Sequence, residues 1–213
     1  SLDGVNDGVS INGHFGNPAN LTLAAWVDLN SADTNGAEVI SLGDSAVIRL
    51  DTTYSGWGLV GSIYDGSVWV VTNHSVNLAG TGWHHVAFSF DDAANTATLY
   101  LDGVAVGTTS TTSSISYTLG ANSAIGKHAN GDATFDFNGK IDDARVYARA
   151  LTAGEIASLA ADITSTSDNV VITVNDADGV YSDLTDGSDN GIINGSSGND
   201  TIYGGPGDGI ADG

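Results

Sequence analysis

The sequence predicts an all-β protein: an antiparallel β-sandwich with one short C-terminal helix and a Gly/Asp-rich tail. Three observations support this fold class. Apolar and polar residues alternate with a period of two in many short runs. Turn-forming Gly, Asp and Asn separate these runs. The longest such stretch, residues 82–107, holds two alternating runs whose linker is too short for a crossover, so they form an antiparallel hairpin.

The composition narrows the classes of partner. The chain has 213 residues and a formal net charge of −21, from 5 Lys and Arg against 26 Asp and Glu. Such a balance excludes nucleic acid and anionic membranes as favoured partners. Cysteine is absent, so cross-links must come from packing or a metal ion. No apolar run is long enough for membrane insertion. The abrupt, strand-like start predicts a fragment with flanking domains in a longer chain.

The acidic residues are strongly biased towards aspartate. Only Glu38 and Glu155 are glutamates. A short carboxylate suits tight loops around a hard cation, so Ca²⁺ is the expected cofactor. The alternative is that Asp follows from a loop-rich composition, because Asp favours turns.

The first half of the chain reads as a series of short strands. Asp3-Gly4 and Asp7-Gly8 are turn signals ahead of a strand that begins at Val9. Alternation predicts a strand over Leu21–Leu29, with Trp26 packed against the sheet. Four shorter strands are predicted next, over Glu38–Leu42, Ala46–Asp51, Trp57–Ile63 and Val68–Thr72. Strands of this length and spacing are typical of a sandwich.

Two groups of loop residues are candidate ligand contacts. Tyr54 and Trp57 can stack on a sugar ring, or they can be ordinary rim aromatics. The loop over Gly120–Gly139 is densely polar, as ligand-contacting rims of sandwiches are and as loops are generally. Within it, His128 and Asn130 are the candidate ligand contacts.

The segment 137–160 predicts a closing strand and a helix. Alternation places Asp142 on an inward face with Ala144 and Val146, where a carboxylate is costly unless a metal ion neutralises it. Asp143 and Arg145 are expected to pair on the outer face. Thr152 to Glu155 forms a capping box, which predicts a helix of about two turns that ends near Ala161.

Residues 1–161 resemble the laminin-G-like, concanavalin-A-like jelly-roll family. The motifs are DGVNDGVSI at the start, LTLAAWVDL, the hairpin WHHVAFSFDD…TATLYLDGVAVG, and FNGKIDDARVYARALTAGEI at the end. The resemblance implies a structural calcium ion, bound by Asp3, the Gly4 carbonyl, Asp7 and Asp142. Gly8 stands where the family usually has an aromatic residue.

Residues 162–213 form a second, acidic segment with ten Asp and no Lys, Arg or Glu. A strand is predicted over Val170–Val174. The run 195–203 matches a GGxGxDxUx nonapeptide except at Ser196, and an imperfect copy follows. This resembles the RTX calcium-binding β-roll, which implies Asp200 and Asp208 as calcium ligands. The segment is the edge of a longer array, a degenerate copy or a flexible linker.

Together the two resemblances imply a calcium-binding, carbohydrate-binding (lectin-like) adhesion module of a large secreted or cell-surface bacterial protein, with a glycan or polysaccharide partner. A structural or protein-binding spacer is the alternative. A glycan-cleaving enzyme is less favoured, because glucanases of this shape use paired carboxylates in an E-x-D-x-x-E run. Glu38 has no carboxylate two or five residues on, and Glu155 lies in a helix cap. No catalytic residue is therefore assigned.

Overall fold

The computed structural model describes residues 1–5, 7–32, 36–51 and 58–161, and the backbone of five strands between 171 and 212. Up to residue 161 the strands are β1 (Leu2–Asp3), β2 (Val9–Asn12), β3 (Leu21–Ala32), β4 (Ala37–Leu42), β5 (Ala46–Asp51), β6 (Gly58–Tyr64), β7 (Trp69–His74), β8 (His84–Asp91), β9 (Thr96–Leu101), β10 (Val104–Ser110), β11 (Asn122–Ile125) and β12 (Phe137–Tyr147). A one-turn 3₁₀ helix (Ala133–Phe135) precedes β12, and α1 (Ala153–Ala161) follows it.

The strands form two sheets. The first sheet has the order β10-β9-β8-β3-β12, and β1 also pairs with β12. The second sheet has the order β2-β11-β4-β5-β6-β7. Every pairing among these twelve strands is antiparallel. The predicted all-β antiparallel sandwich is therefore confirmed, as is the hairpin, which is formed by β8 and β9 in direct register.

The hydrophobic core lies between the two sheets. The predicted alternation places Val86, Phe88 and Phe90 of β8 inward, where they are fully buried. Inward-facing residues of β2, β3, β4, β5, β6, β9, β11 and β12 contribute to the same core. Each fully buried side chain of this size contributes roughly 1.5–3 kcal/mol to folding.

Helix α1 covers the outer face of the first sheet. Its predicted capping box is confirmed: the Glu155 amide donates to Thr152 Oγ1 at 3.3 Å, and the Thr152 amide donates to Glu155 Oε2 at 2.8 Å. Leu151 and Ile156 are buried in a second apolar cluster with Tyr100 and Tyr147. That cluster attaches the helix to the sheet.

Strand β12 contains a β-bulge that changes the predicted orientation of Asp142. Asp142 pairs with Trp26 and Arg145 pairs with Ala24, so two residues on β12 oppose one on β3. Asp143 adopts a left-handed φ of 50° at this point. The bulge puts Asp142 on the same face as Trp26, away from the core that Ala144 and Val146 enter. The predicted inward face shared by these three residues is wrong, because a strict period of two does not survive a bulge.

The predicted outer-face ion pair between Asp143 and Arg145 is confirmed. Arg145 Nε donates to Asp143 Oδ1 at 2.6 Å. Burial lowers the pKa of the guanidinium, but its hydrogen bonds to Asp143 and Tyr147 outweigh this effect, so the pKa is raised overall and Arg145 stays charged.

Five further strands extend both sheets. They are β13 (Val171–Asn175), β14 (Val180–Thr185), β15 (Ile192–Asn194), β16 (Thr201–Gly204) and β17 (Ile210–Asp212). β13, β15 and β17 continue the first sheet beyond β12, whereas β14 and β16 continue the second beyond β2. Alternate strands thus enter alternate sheets, and β13, β15 and β17 run parallel to one another, as do β14 and β16. The strand predicted over Val170–Val174 corresponds to β13.

Within the described part of the chain, no helix has both the length and the hydrophobicity needed to cross a membrane.

Candidate functional site

The candidate site lies on the outer face of the second sheet. On β4 and β5, Ile40 pairs with Ile48 and both enter the core, whereas Glu38 pairs directly with Arg49 on the opposite face. Glu38 is nevertheless only 1 % exposed. Its carboxyl group is therefore a buried acid on the side of the sheet that faces away from the core.

Asp44 enters the site from the turn between β4 and β5. Gly43 and Asp44 both have left-handed φ angles, and the Ser45 amide donates to the Leu42 carbonyl, which defines a tight type I′ turn. Asp44 Oδ1 accepts hydrogen bonds from Ser41 Oγ at 2.9 Å and from the Ala129 amide at 3.1 Å. The Asp44 carboxylate therefore connects this turn to the loop between β11 and β12.

His128 enters the site from that loop. Its ring stacks on Phe135 with 4.8 Å between centroids, and the Arg49 guanidinium lies 5.3 Å from the same Phe135 ring. Nδ1 of His128 lies 2.7 Å from Asn130 Oδ1 and 3.2 Å from Asp44 Oδ1. Two acceptors at Nδ1 favour the tautomer that carries its proton there. Nε2 then presents a lone pair towards Glu38 Oε1, 4.0 Å away.

Burial dominates the electrostatics of this cluster. It raises the pKa of Glu38 well above its ordinary value, and the neighbouring Asp44 carboxylate acts in the same direction. Arg49 and the Ser41 hydroxyl act the opposite way. Glu38 Oε2, Asp44 Oδ2 and Arg49 Nε are buried polar atoms for which the described residues provide no hydrogen-bond partner. Such atoms are rare and costly in native proteins.

Glu38, Asp44 and His128 form a candidate metal-ligand set. Each offers one ligand atom, and the three atoms lie within 4.8 Å of one another. Among the described residues, these three side chains are the one group of acidic and histidine residues that has this spacing. We call these three side chains the Glu38 cluster.

Of the sequence-predicted ligand contacts, the structure brings His128 and Asn130 together in the rim of this site. Asn130 is exposed, whereas the His128 side chain retains 14 % of its exposure. Tyr54 and Trp57 lie outside the described residues, as do Asp200 and Asp208 of the tail.

The remaining predicted calcium ligands lie elsewhere in the sandwich. The Asp3 amide donates to Asp7 Oδ2 at 3.0 Å, so these two residues share one loop, with Gly4 at a left-handed φ of 80° between them. β1 places this loop beside Asn138 and Gly139 of β12. Asp142, further along β12, accepts the Asp143 amide. Their assignment as calcium ligands stays a prediction.

Glu38 and Asp44 were missed by the sequence reasoning. The available signal was Glu38 itself, the single charged residue in the strand segment AEVISL, all of which is buried. A buried carboxyl group requires compensation, so its position alone indicates a local network of polar groups. The sequence identifies Asp44 only as a turn residue. Its contacts with Ala129 and His128 in the loop after β11 are visible only in the structure.

The two-sheet architecture defines the class of protein as a jelly roll. Residues 3–157 match the Laminin_G_3 family, described as the concanavalin A-like lectin/glucanases superfamily, and the chain belongs to this family. The resemblance stated for the sandwich is thereby confirmed. No curated protein matches the chain.

Solved structures share this fold at low sequence identity. Domain 4 of an extracellular GH43 arabinanase from Geobacillus stearothermophilus, in complex with arabinotriose, is 21% identical with a TM-score of 0.61, over 75% of this chain and 74% of that one. The CBM40 of a Ruminococcus gnavus sialidase, bound to α2,3 sialyllactose, is 17% identical with a TM-score of 0.55, over 67% and 83%. A heptameric SAP-like pentraxin from Limulus polyphemus is 15% identical with a TM-score of 0.56, over 75% and 80%.

Proposed function

We propose that the protein is a non-catalytic carbohydrate-binding module that binds a glycan at the outer face of the second sheet. One observation carries this proposal: the two outer faces of the sandwich differ. Helix α1 and its apolar cluster cover the first sheet. The loop with His128 and Asn130 provides a polar rim over the second.

The comparisons support this proposal at the level of the fold. The family is described by its lectins and glucanases, and two of the structures above were solved with an oligosaccharide. Here Asn130 is the exposed polar contact, with His128 beside it. Tyr54 and Trp57 precede β6 of the same sheet, and we assign them to the stacking of a sugar ring.

We further propose that calcium stabilises the module. The ligands are Asp3, the Gly4 carbonyl, Asp7 and Asp142 in the sandwich (1–161), and Asp200 and Asp208 in the acidic extension (162–213). The net charge of −21 supports a divalent cation, because neutralised carboxylates repel one another less. With these ions and flanking domains, the module would act in adhesion as part of a secreted or cell-surface protein.

The glycan proposal is tested by screening the full chain on an array that includes arabino- and sialyl-oligosaccharides, with calcium and with chelator. We expect weak binding to one glycan class, lost in Asn130→Ala. Asn30→Ala, an exposed asparagine on the first sheet, is the matched control and should bind normally. Absence of glycan binding in both buffers would favour the spacer, and release of shortened glycan would overturn the non-catalytic assignment.

The calcium proposal has its own measurement, the thermal melting temperature with calcium and with chelator. We expect a lower melting temperature in chelator, and a smaller calcium response in Asp7→Asn and Asp142→Asn than in the control Asp92→Asn. A wild-type melting temperature that chelator leaves unchanged would contradict calcium binding without affecting the glycan proposal.

A further inference from the structure

We propose that the Glu38 cluster binds one divalent transition-metal ion of the zinc or manganese class, which joins the loop between β11 and β12 to the second sheet. This site differs in residues and in ligand chemistry from the calcium sites above. It does not depend on whether a glycan binds.

The ligand atoms have suitable identities and spacing. Zinc binds nitrogen and carboxylate oxygen at about 2.0–2.2 Å, so two ligands of one ion lie at most about 4.3 Å apart. Glu38 Oε1 and His128 Nε2 are separated by 4.0 Å, within that limit. Asp44 is the third ligand: one carboxylate oxygen from each acid and one ring nitrogen of His128 lie within 4.8 Å of one another. A small side-chain rotation completes the set.

The hydrogen bonds around His128 orient it as a metal ligand. Its Nδ1 faces the Asn130 and Asp44 oxygens, which fixes the proton on that nitrogen and leaves Nε2 as the electron-pair donor. Histidine ligands are held in this way, with the second ring nitrogen donating to a carboxylate or carbonyl oxygen. The stacking on Phe135 fixes the plane of the ring as well.

The unpartnered oxygens are the second, independent observation. Glu38 Oε2 and Asp44 Oδ2 are buried, and no hydrogen-bond donor among the described residues satisfies them. Glu38 is 1 % and Asp44 3 % exposed, so solvent has little access to either carboxylate. Two buried carboxylates side by side repel each other, and a divalent cation between them would balance both charges.

The donor set selects the class of metal. Calcium takes six to eight oxygen ligands, and an imidazole nitrogen is a poor ligand for it. One imidazole and two carboxylates suit zinc and manganese. The His128 side chain keeps 14 % exposure, so the cluster is not closed off from solvent on that side.

The test is calorimetric titration of the full chain with Zn²⁺ and with Mn²⁺, in buffer that already holds saturating Ca²⁺. Calcium sites are then filled and do not contribute. We expect one site per chain, with affinity at least tenfold lower in Glu38→Gln and in His128→Gln. The matched controls are Asp92→Asn and His74→Gln, whose affinities should equal that of the wild type.

A second measurement uses the wild-type protein alone, so that misfolding of a variant does not decide the result. In ¹⁵N spectra of the imidazoles, one equivalent of Zn²⁺ should shift Nε2 of His128 and leave Nδ1 protonated. An unshifted Nε2 would overturn the proposal. So would the absence of binding by either metal, or variants that bind as tightly as the wild type.

Discussion

Thr22 Oγ1 accepts a hydrogen bond from the Leu151 amide at 2.9 Å and donates one to the Arg149 carbonyl at 3.0 Å. A single buried hydroxyl on β3 thus anchors the segment that leads from β12 into α1. Leu151 belongs to the apolar cluster under the helix, so water is a poor substitute partner for its amide.

Thr22→Val should therefore destabilise the protein although it preserves the side-chain shape. The variant leaves a buried amide and a carbonyl without this partner, which costs about 1–3 kcal/mol. Urea unfolding followed by tryptophan fluorescence measures the change. Thr96→Val, a half-buried threonine on β9, is the control and should change stability by less than about 0.5 kcal/mol. Equal effects of the two substitutions would contradict the anchoring role.

The capping box of α1 gives a second prediction, on Thr152→Ala. This variant removes the acceptor of the Glu155 amide and should cost about 1 kcal/mol. Thermal unfolding monitored by circular dichroism provides the comparison. Ser158→Ala serves as control, because its hydroxyl donates only to the Gly154 carbonyl within the helix. A Thr152→Ala melting temperature equal to that of the control would refute the role of the cap.

The same box has a defined pH dependence. The Arg149 guanidinium, followed by the Thr152 amide and hydroxyl, lowers the pKa of Glu155 to about 2. A lowered folded-state pKa means that this contribution is present above the ordinary glutamate pKa and is lost as pH falls towards 2. Glu155→Gln should therefore show a weaker fall in stability than the wild type between roughly pH 4.5 and 2. The measurement is the melting temperature of both proteins across that pH range. Equal falls in the variant and the wild type would contradict the assignment.

Much of the sandwich could be predicted from the sequence, because its strands expose one face to a continuous core. The period of two in β8 and β9 placed each side chain on its correct face, and the box from Thr152 to Glu155 located the helix. These signals are local. Each depends on residues that are close in sequence, so no knowledge of the rest of the fold was needed.

The departures from prediction have non-local causes. The orientation of Asp142 depends on the bulge at Asp143, and a bulge depends on the register with β3, which composition does not encode. The Glu38 cluster combines β4, the turn after it and a loop that follows β11. His128 and its neighbour Asn130 carried a local signal, the density of polar residues in their loop, and Glu38 carried one as the charged residue of its strand. Glu38 and Asp44 come together with His128 only in the folded structure.

Burial of His85 predicts a rise in stability with pH. The His85 side chain packs edge-on against Trp26 at 5.5 Å between centroids, and its exposure is 2 %. Burial lowers its pKa to about 4; the Asp102 carboxylate opposes this effect, and Arg145 adds to it. Between pH 4 and 6.5 the unfolded chain binds a proton that the folded chain does not, so the free energy of unfolding rises with pH.

The size of this effect is about 3 kcal/mol across the window, because the pKa difference of about 2.5 units corresponds to 1.36 kcal/mol per unit. Urea unfolding at intervals from pH 4 to pH 7 measures it, and the difference between variant and wild type isolates His85 from the carboxylates. His85→Phe should flatten the dependence by this amount. His74→Gln, on β7, should follow the wild-type curve. A His85→Phe profile that parallels the wild type would show that His85 does not cause the rise.

The final prediction concerns two glycines whose replacement by alanine should change the stability of the protein in opposite directions. A Cβ on Gly61 of β6 would clash with Cδ2 of Phe88, on the core side of the second sheet. Phe88 is fully buried and close-packed, so it cannot move away cheaply. Gly61→Ala should therefore destabilise the protein by about 1–3 kcal/mol or more, because overpacking forces the two sheets apart.

Gly154 in α1 is the matched position, since a Cβ there meets no atom within 4 Å. Gly154→Ala should stabilise the protein by about 0.5–1 kcal/mol, because alanine loses less backbone entropy than glycine in a helix. The same denaturation assay compares both variants with the wild type. The double variant Gly61→Ala/Phe88→Leu should recover part of the loss of Gly61→Ala, because the smaller side chain vacates the position of the added methyl group. If the double variant shows no such recovery, the contact between β6 and β8 does not cause the destabilisation by Gly61→Ala.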